Sequence, residues 1–150
     1  MNKAGSGWQM SPGDAAGVEN FHVVYLVISP RELADINGVQ VVESYFDLAI
    51  RPRPPRGVVL FAPCSFNSLN KLAHGIADNL ALSVVAEAIG RGTPVIVVPS
   101  LNAPLLAHPE ARASLSKLST WSVTIVPPVD EGDGPRLTPL SAAEPYVRRG

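Results

Sequence analysis

The sequence has 150 residues, a formal net charge of −1 and 46% hydrophobic residues. This length fits one domain with a substantial core, and the nearly neutral charge gives no general attraction to nucleic acid or to an anionic membrane surface. No apolar run approaches the roughly 20 residues of a membrane-spanning helix, and a single cysteine excludes an internal disulfide or a thiolate metal cluster.

The first 20 residues, MNKAGSGWQMSPGDAAGVEN, are small, polar and rich in Gly. They predict a flexible tail before a domain over residues 21–140, and residues 141–150 predict a second flexible tail. The N-terminal stretch lacks the apolar core of a secretory signal peptide, so the sequence predicts a cytoplasmic location.

The domain opens with a predicted strand and continues through a Pro-rich connector. His22–Ser29 is rich in β-branched and aromatic residues, and the Ser29-Pro30 pair ends it. The run RPRPPR at Arg51–Arg56 cannot be helical, so it predicts an extended connector.

The central part of the chain predicts two buried strands joined by helix. Val58–Ala62 and Pro94–Val98 are continuous apolar runs, as expected of strands buried on both faces. Between them, over Phe66–Ile89, apolar residues recur at spacings of three and four, which predicts a helix. Gly75 inside this run indicates either a break between two shorter helices or close backbone packing. Together these elements form a βαβ unit of a parallel sheet.

Two polar turns, Pro63–Ser68 and Pro99–Asn102, follow the two strands. Ligands of open α/β sheets bind beyond the carboxyl ends of the strands, where these turns lie. The helix that begins after the first turn offers free backbone N–H groups to an anion or a polar ligand edge. The alternative is that Ser65 or Asn67 only caps this helix.

The stretch PCSFNSLNKLAHGIADNL resembles the P-A-S-A-N-T…K-L-A-H-G-I-A-D-N-L signature of the flavin-containing cysteine decarboxylases. These are FMN proteins related to phosphopantothenoylcysteine decarboxylase and to the peptidyl-cysteine decarboxylases of lantibiotic synthesis. Pro99–Asn102 resembles the P-x-M-N motif of the same family, with Leu101 in place of Met. The resemblance covers roughly residues 57–128.

The resemblance implies an α/β fold, a three-layer Rossmann-like (flavodoxin-like) parallel sheet with helices on both faces. His22–Ser29 can be either the first or the second strand of that sheet. The second placement fits better, and it implies that the usual first β-α unit, with its phosphate loop, is lacking. Ser29 is then a candidate contact of the FMN phosphate, with a plain turn or cap as the alternative.

The resemblance also implies FMN as the cofactor. The residues that it places against FMN are Ser29, Ser65, Phe66, Asn67, Ser68 and Ser100. It places Asn102 against the substrate carboxylate, to which an amide can donate without adding charge. In the family, FMN oxidises a cysteinyl thiol so that the carboxylate leaves as carbon dioxide, while the protein supplies orientation.

The catalytic residues of the family have no match at the corresponding positions of this sequence. Arg51–Arg56 occupies the place of the family His, and Val129–Arg136 lacks the Cys of the family's substrate clamp. The histidines of the sequence are His22, His74 and His108. Cys64, the single cysteine, stands at a small-residue position of the signature and is expected to be buried rather than nucleophilic.

Three functions remain open from the sequence. The first is FMN-dependent decarboxylation of a C-terminal or phosphopantothenoyl cysteine. The second is a catalytically incomplete subunit of a hetero-oligomer, in which a homologous partner supplies the missing His. The third is an FMN-binding protein with other redox chemistry. Because the family forms trimers, the resemblance implies a homotrimer or a multiple of one.

A polar stripe within the predicted helix also has two interpretations. Asn67, Lys71, His74 and Asp78 recur at spacings of four, three and four. Such a stripe is either a solvated helix face or, by resemblance to the family, part of a subunit contact.

Overall fold

The computed structural model describes residues 21–24, 42, 44–46, 48, 57–128 and 143–147. The described strands are β1 (Phe21–Val24), β2 (Val58–Cys64), β3 (Val95–Pro99) and β4 (Thr124–Ile125). The described helices are α1 (Phe66–Ala73), α2 (Leu80–Arg91), α3 (Ala103–Ala107), α4 (Pro109–Thr120) and α5 (Glu144–Val147). The N-terminal tail, Ser29, the Arg51–Arg56 connector and the Val129–Arg136 segment lie outside the described residues.

The four described strands form one parallel sheet in the order β1-β2-β3-β4. Every residue of β2 and β3 is buried, because helices or chain segments cover both faces of a parallel sheet. The continuous apolar runs of these two strands are the sequence signature of that environment. The predicted α/β fold with a flavodoxin-like parallel sheet is confirmed.

The two faces of the sheet pack against different elements. On one face, Val59, Phe61 and Val97 contact a core built from α1, α2 and α4. The helix residues of this core are Leu69, Leu72, Ala73, Ala81, Leu82, Val85, Ala88, Ala111 and Leu118. On the other face, Leu60 and Val98 pack with Ala143 and the partly buried Tyr146 of α5. This contact places a helix within residues 141–150, for which the sequence predicts a tail.

The connection between β2 and β3 is two helices rather than one. Helix α1 ends at Ala73, and Gly75 adopts the left-handed conformation, with φ +72°. A new helix then begins after Asn79, whose side-chain oxygen accepts a hydrogen bond from Leu82 N at 3.0 Å. Of the two interpretations of Gly75, the structure therefore shows the helix break.

Strand β1 lies directly beside β2, with Val24 opposite Phe61. In the common doubly wound sheets, the strand that neighbours the sequential run of later strands is the first of the sheet. The pairing therefore favours the first-strand placement of residues 22–29 over the second. Strand β1 is described only as far as Val24.

No helix in the described part of the chain is both long enough and apolar enough to span a membrane.

Candidate functional site

The turns after β2 and β3 are joined at their bases. Cys64 and Pro99, the last residues of the two strands, lie opposite each other in the sheet. One residue further on, Ser100 N donates a hydrogen bond to the carbonyl oxygen of Cys64 at 2.9 Å. This bond fixes the relative position of the two polar turns. Both turns therefore begin side by side at the carboxyl edge of the sheet.

The first turn is held by hydroxyl groups at the start of α1. Ser65 is the N-cap, and its Oγ accepts a hydrogen bond from Ser68 N at 3.3 Å. The same Oγ lies 3.0 Å from Ser68 Oγ, to which it donates. Ser68 is buried and Ser65 half-buried. Of the two residues considered as caps, Ser65 is the one that caps α1.

Asn67 is exposed in the first turn of α1. Its amide forms no hydrogen bond to another of the described residues, so both its donor and its acceptor are available. Ser100, in the second turn, is half-buried, and its hydroxyl likewise has no partner within the described ranges. These two side chains therefore offer unpaired polar groups in the joined turns.

In the second turn, Asn102 is the N-cap of α3. Its Oδ1 accepts a hydrogen bond from Leu105 N at 3.0 Å, which fixes which end of the amide faces the helix. The Nδ2 amino group then points away from the helix backbone and makes no hydrogen bond within the described chain. The cap engages the Oδ1 atom of Asn102 and leaves the two N–H donors of Nδ2 unpaired.

A ring contact joins the first turn to the segment that follows the second. Phe66, the first residue of α1, meets the ring of His108 edge-on, with centroids 5.3 Å apart and planes at 83°. His108 lies between α3 and α4 and caps α4, because its Nδ1 accepts a hydrogen bond from Glu110 N at 3.1 Å. The sequence does not predict this contact, although a His directly before Pro109 is compatible with a helix start.

The polar stripe is divided by the end of α1. His74 is the C-cap of α1, and its Nδ1 lies 2.8 Å from the carbonyl oxygen of Asn70. Its Nε2 lies 3.3 Å from Glu110 Oε1 of α4, with both side chains about half exposed. Lys71 forms an ion pair with Asp78, which lies beyond the helix. In the single chain these side chains are in contact with solvent or with one another.

Cys64 is fully buried at the end of β2. Burial raises the pKa of its thiol far above the ordinary range, because the thiolate would lose its hydration. The thiolate is the form that reacts as a nucleophile or binds a metal, so burial that disfavours it leaves Cys64 unreactive. This agrees with the expectation that Cys64 is a compact core residue.

Neutral groups dominate the electrostatics of the two turns. Neither α1 nor α3 has an acidic residue in its first turn, so the backbone N–H groups there are not neutralised by a side-chain carboxylate. Hydroxyls and amides surround them. Within the described residues, no cluster of three or more His, Cys, Asp or Glu side chains could hold a metal ion. The site suits a ligand with polar edges or negative charge.

Comparison with known proteins defines the class of the chain. The model of the Flavoprotein family matches residues 22–139, which include both turns. The chain therefore belongs to the Flavoprotein family. The resemblance to cysteine decarboxylases is confirmed by relatives of that description.

Two curated relatives illustrate the similarity. A probable phosphopantothenoylcysteine decarboxylase of Arabidopsis thaliana is 32% identical over 89 residues, which are 55% of this chain and 44% of that protein. A cysteine/cysteine sulfinic acid decarboxylase from an unknown prokaryotic organism is 28% identical over 113 residues, 68% of this chain and 30% of that protein. The chain thus spans less than half the length of these relatives.

Solved structures agree on the fold. A mutant phosphopantothenoylcysteine decarboxylase, complexed with pantothenoylaminoethenethiol, superposes with a TM-score of 0.54 at 29% identity over 61% of this chain and 53% of the other. The FMN binding protein AtHal3 gives 0.53 at 28% identity, over 61% and 52% of the two chains. The peptidyl-cysteine decarboxylase EpiD, at 22% identity and a TM-score of 0.52, covers 60% of this chain and 53% of its own and shares the fold.

Proposed function

We propose that this chain is an FMN-dependent decarboxylase of a cysteinyl substrate, either a peptide with a C-terminal cysteine or phosphopantothenoylcysteine. The observation that carries this proposal is the Flavoprotein family match across both turns. Relatives described as cysteine decarboxylases and a solved FMN-binding neighbour support the choice of reaction and cofactor.

In this proposal, FMN lies against the joined turns. The residues assigned to it are Ser65, Phe66, Asn67, Ser68 and Ser100. Ser29 is a candidate only if its strand is the second of the sheet, a placement that the pairing of β1 with β2 disfavours. The unpaired amide of Asn67 and hydroxyl of Ser100 fit the polar edge of a flavin, and the Phe66 ring offers an apolar surface. When bound, FMN supplies an electron-accepting ring for oxidation of the substrate thiol. The tie between Ser100 N and Cys64 O keeps the turns in register for one ligand.

Asn102 is assigned to the substrate carboxylate. Because its Oδ1 is held by Leu105 N, its amide presents donors rather than an acceptor. Two N–H donors can grip a carboxylate without introducing a positive charge, which would hold the carboxylate back from leaving as neutral carbon dioxide. The assignment thus uses the orientation that the helix cap imposes.

A second candidate follows from His74 and His108, the two histidines whose side chains the structure describes. The Nδ1 of His108 accepts the hydrogen bond that caps α4. The Nδ1 of His74 lies against the carbonyl oxygen of Asn70, and its Nε2 lies against the Glu110 carboxylate. Neither side chain is free to serve as a general base in this arrangement. This favours, as the alternative, a subunit whose catalytic His comes from a homologous chain. An FMN-binding protein with other redox chemistry is the third possibility.

The distinguishing experiment measures carbon dioxide release by the purified chain with FMN. Peptides that end in cysteine and phosphopantothenoylcysteine are the substrates, and peptides that end in serine are the matched controls. Release from a cysteinyl substrate alone supports the first proposal. Bound FMN without release contradicts it, and restoration of release by a His-bearing homologue then identifies the hetero-oligomer.

A variant of Asn67 tests where FMN binds. We expect Asn67→Ala to lower FMN occupancy, because it removes the amide that is proposed to bind the polar edge of the flavin. The exposed side chain contributes little to folding, so the free energy of unfolding without FMN should stay within about 0.5 kcal/mol of the wild type. Unchanged occupancy in a visible absorbance titration would remove Asn67 from the flavin site.

The assembly and location are part of the same proposal. We propose a homotrimer or a multiple of it in the cytoplasm, on the basis of the resemblance to the cysteine decarboxylases. In that assembly the exposed polar side chains at the end of α1 would lie at a subunit contact. Native mass measurement tests the assembly, and a strictly monomeric chain with bound FMN would contradict it.

A further inference from the structure

We infer that His108 is a positioning residue for the flavin site, acting on the cofactor through the ring of Phe66. The inference rests on the proposed function, which places Phe66 against FMN. It adds a residue from outside both turns and a mechanism by which the start of α4 sets the shape of the site.

The contact itself has the geometry of a favourable aromatic pair. The rings of Phe66 and His108 meet edge-on at 83° with a centroid separation of 5.3 Å. Aromatic rings prefer this arrangement, since the positive edge of one meets the negative face of the other. Phe66 is only half-buried, and it touches the main core from its periphery. Phe66 stays half-buried with the His108 ring against it, so part of the Phe66 ring remains open to a ligand.

Phe66 also stands where the signature P-A-S-A-N-T has its second Ala. An Ala at this position needs no support, because it has no side-chain torsion to fix. A phenyl ring has two such torsions, and each alternative rotamer would change the surface offered to a flat ligand. A chain with Phe at this position therefore gains from a second ring that selects one rotamer, and His108 is placed to do so.

His108 is itself held from the other side. Its Nδ1 accepts the hydrogen bond from Glu110 N at 3.1 Å and so caps α4, a helix of 12 residues. Rotation of the imidazole would break this cap. An acceptor at Nδ1 also puts the proton of the neutral ring on Nε2, so the ring has no free lone pair for proton abstraction. The geometry points to support of Phe66, not to acid–base catalysis.

Two substitutions separate the ring contact from the cap. His108→Asn keeps a good N-cap but removes the ring, and His108→Phe keeps an edge-on ring but removes the cap acceptor. We expect His108→Asn to weaken FMN binding by about two- to tenfold, the range that corresponds to an aromatic pair. His108→Phe keeps the ring but loses the cap that holds it, so it should weaken FMN binding less than His108→Asn does. Fluorescence titration gives the dissociation constant. Visible circular dichroism of bound FMN reports a change in the protein surface around the flavin.

A double-substitution cycle tests whether His108 acts through Phe66. In the Phe66→Ala background, His108→Asn should have no further effect on the FMN dissociation constant, because the ring that it positions is gone. Ser119→Ala is the control in the same helix. The exposed Ser119 lies near the far end of α4, where its hydroxyl donates to the carbonyl oxygen of Leu115, and its replacement should leave FMN affinity unchanged.

Three results would overturn the inference while leaving the proposed function intact. These are wild-type affinity in His108→Asn, equal weakening in both His108 variants, or additive effects of the Phe66 and His108 substitutions. The last would mean that His108 acts on FMN independently of Phe66. Failure of the wild-type chain to bind FMN would overturn the proposed function first, and this inference with it.

Discussion

At the scale of single residues, the proposed site is built on the caps of helices. Ser65, Asn102 and His108 each cap the helix that follows them. A cap needs only an acceptor, so the amide of Asn102 keeps its donors and the imidazole of His108 keeps its ring faces. Capping and ligand binding, which are alternatives when only the sequence is known, are compatible in the folded chain. The cap supplies the orientation that a binding group requires.

Asn102 offers the sharpest residue-scale prediction. Asn102→Asp retains an oxygen that can cap α3, and a carboxylate at a helix start is favourable. It also replaces the amide donors with a negative charge facing the substrate carboxylate. We expect KM for a cysteinyl substrate to rise by tenfold or more, which corresponds to about 1.4 kcal/mol, while the unfolding midpoint stays close to that of the wild type. Steady-state decarboxylation and thermal unfolding measure the two effects.

Asn79→Asp is the matched control for this substitution. Asn79 caps α2 through the same type of bond, from Leu82 N to Oδ1 at 3.0 Å, and does not belong to the two turns. It should leave KM unchanged. If Asn102→Asp unfolds the protein, or if both variants alter KM equally, Asn102 is a structural residue of its turn and not a substrate ligand.

Cys64 predicts how stability depends on pH. Burial raises the pKa of its thiol, so the folded chain holds the proton at alkaline pH while the unfolded chain releases it. The contribution to stability is therefore complete below the pKa of about 8.5 of an unfolded cysteine, and it is lost as pH rises above that value. Between pH 9 and 11, the free energy of unfolding of the wild type should fall faster than that of Cys64→Ala, by about 1.4 kcal/mol per pH unit.

Chemical denaturation at several pH values, on the wild type and Cys64→Ala, provides the measurement. Other titrating groups are common to both proteins and cancel in the difference. Parallel pH profiles would show that Cys64 is hydrated in the folded state. Rapid labelling of the native protein by a thiol reagent would also show that Cys64 is accessible to water in the folded state.

At the scale of elements, the connection between β2 and β3 is organised by a left-handed glycine. The apolar spacing of three and four continues through Gly75, so periodicity alone extends a helix from Phe66 to Ile89. The structure ends α1 at Ala73 because Gly75 turns to φ +72°, where residues with a Cβ are disfavoured. The break separates the helix that begins at the site, α1, from the helix that leads to β3.

Substitution of two glycines tests this account of the break. A Cβ at Gly75 would meet nothing within 4 Å, so Gly75→Ala affects only the backbone conformation. We expect a loss of stability of about 1 kcal/mol from the left-handed φ. Gly90 also has open space but lies within α2 without a positive φ, so Gly90→Ala should be stabilising by about 0.5 kcal/mol. Urea denaturation that gave both changes the same sign would contradict the assignment.

Strand positions were accessible from sequence, and strand ends less so. Val58–Ala62 was predicted, and β2 continues to Cys64 because the next two residues are also buried at the edge of the sheet. The predicted Pro94–Val98 corresponds to β3 at Val95–Pro99. Continuous apolar runs reveal a strand that is covered on both faces. They do not reveal where hydrogen bonding to a neighbour stops, since that depends on the paired strand.

At the scale of the whole molecule, a parallel sheet brings together turns that are distant in sequence. The βαβ pattern predicts that both turns lie at one edge of the sheet. The hydrogen bond from Ser100 N to Cys64 O joins them there. The contact of Phe66 with His108 had no signal in the sequence, because it depends on how α1 and α4 pack. Family membership was predictable from two motifs at their separation, whereas the roles of individual residues require experiment.

The most direct test of the central claim is the FMN content of the purified full chain, measured by native mass spectrometry together with its visible absorbance spectrum. The proposed site predicts one noncovalently bound FMN per chain in an oligomer, with occupancy reduced in Asn67→Ala. A wild-type chain that takes up no FMN, or that binds it equally well after Asn67→Ala and Phe66→Ala, would contradict the placement of a flavin at these two turns.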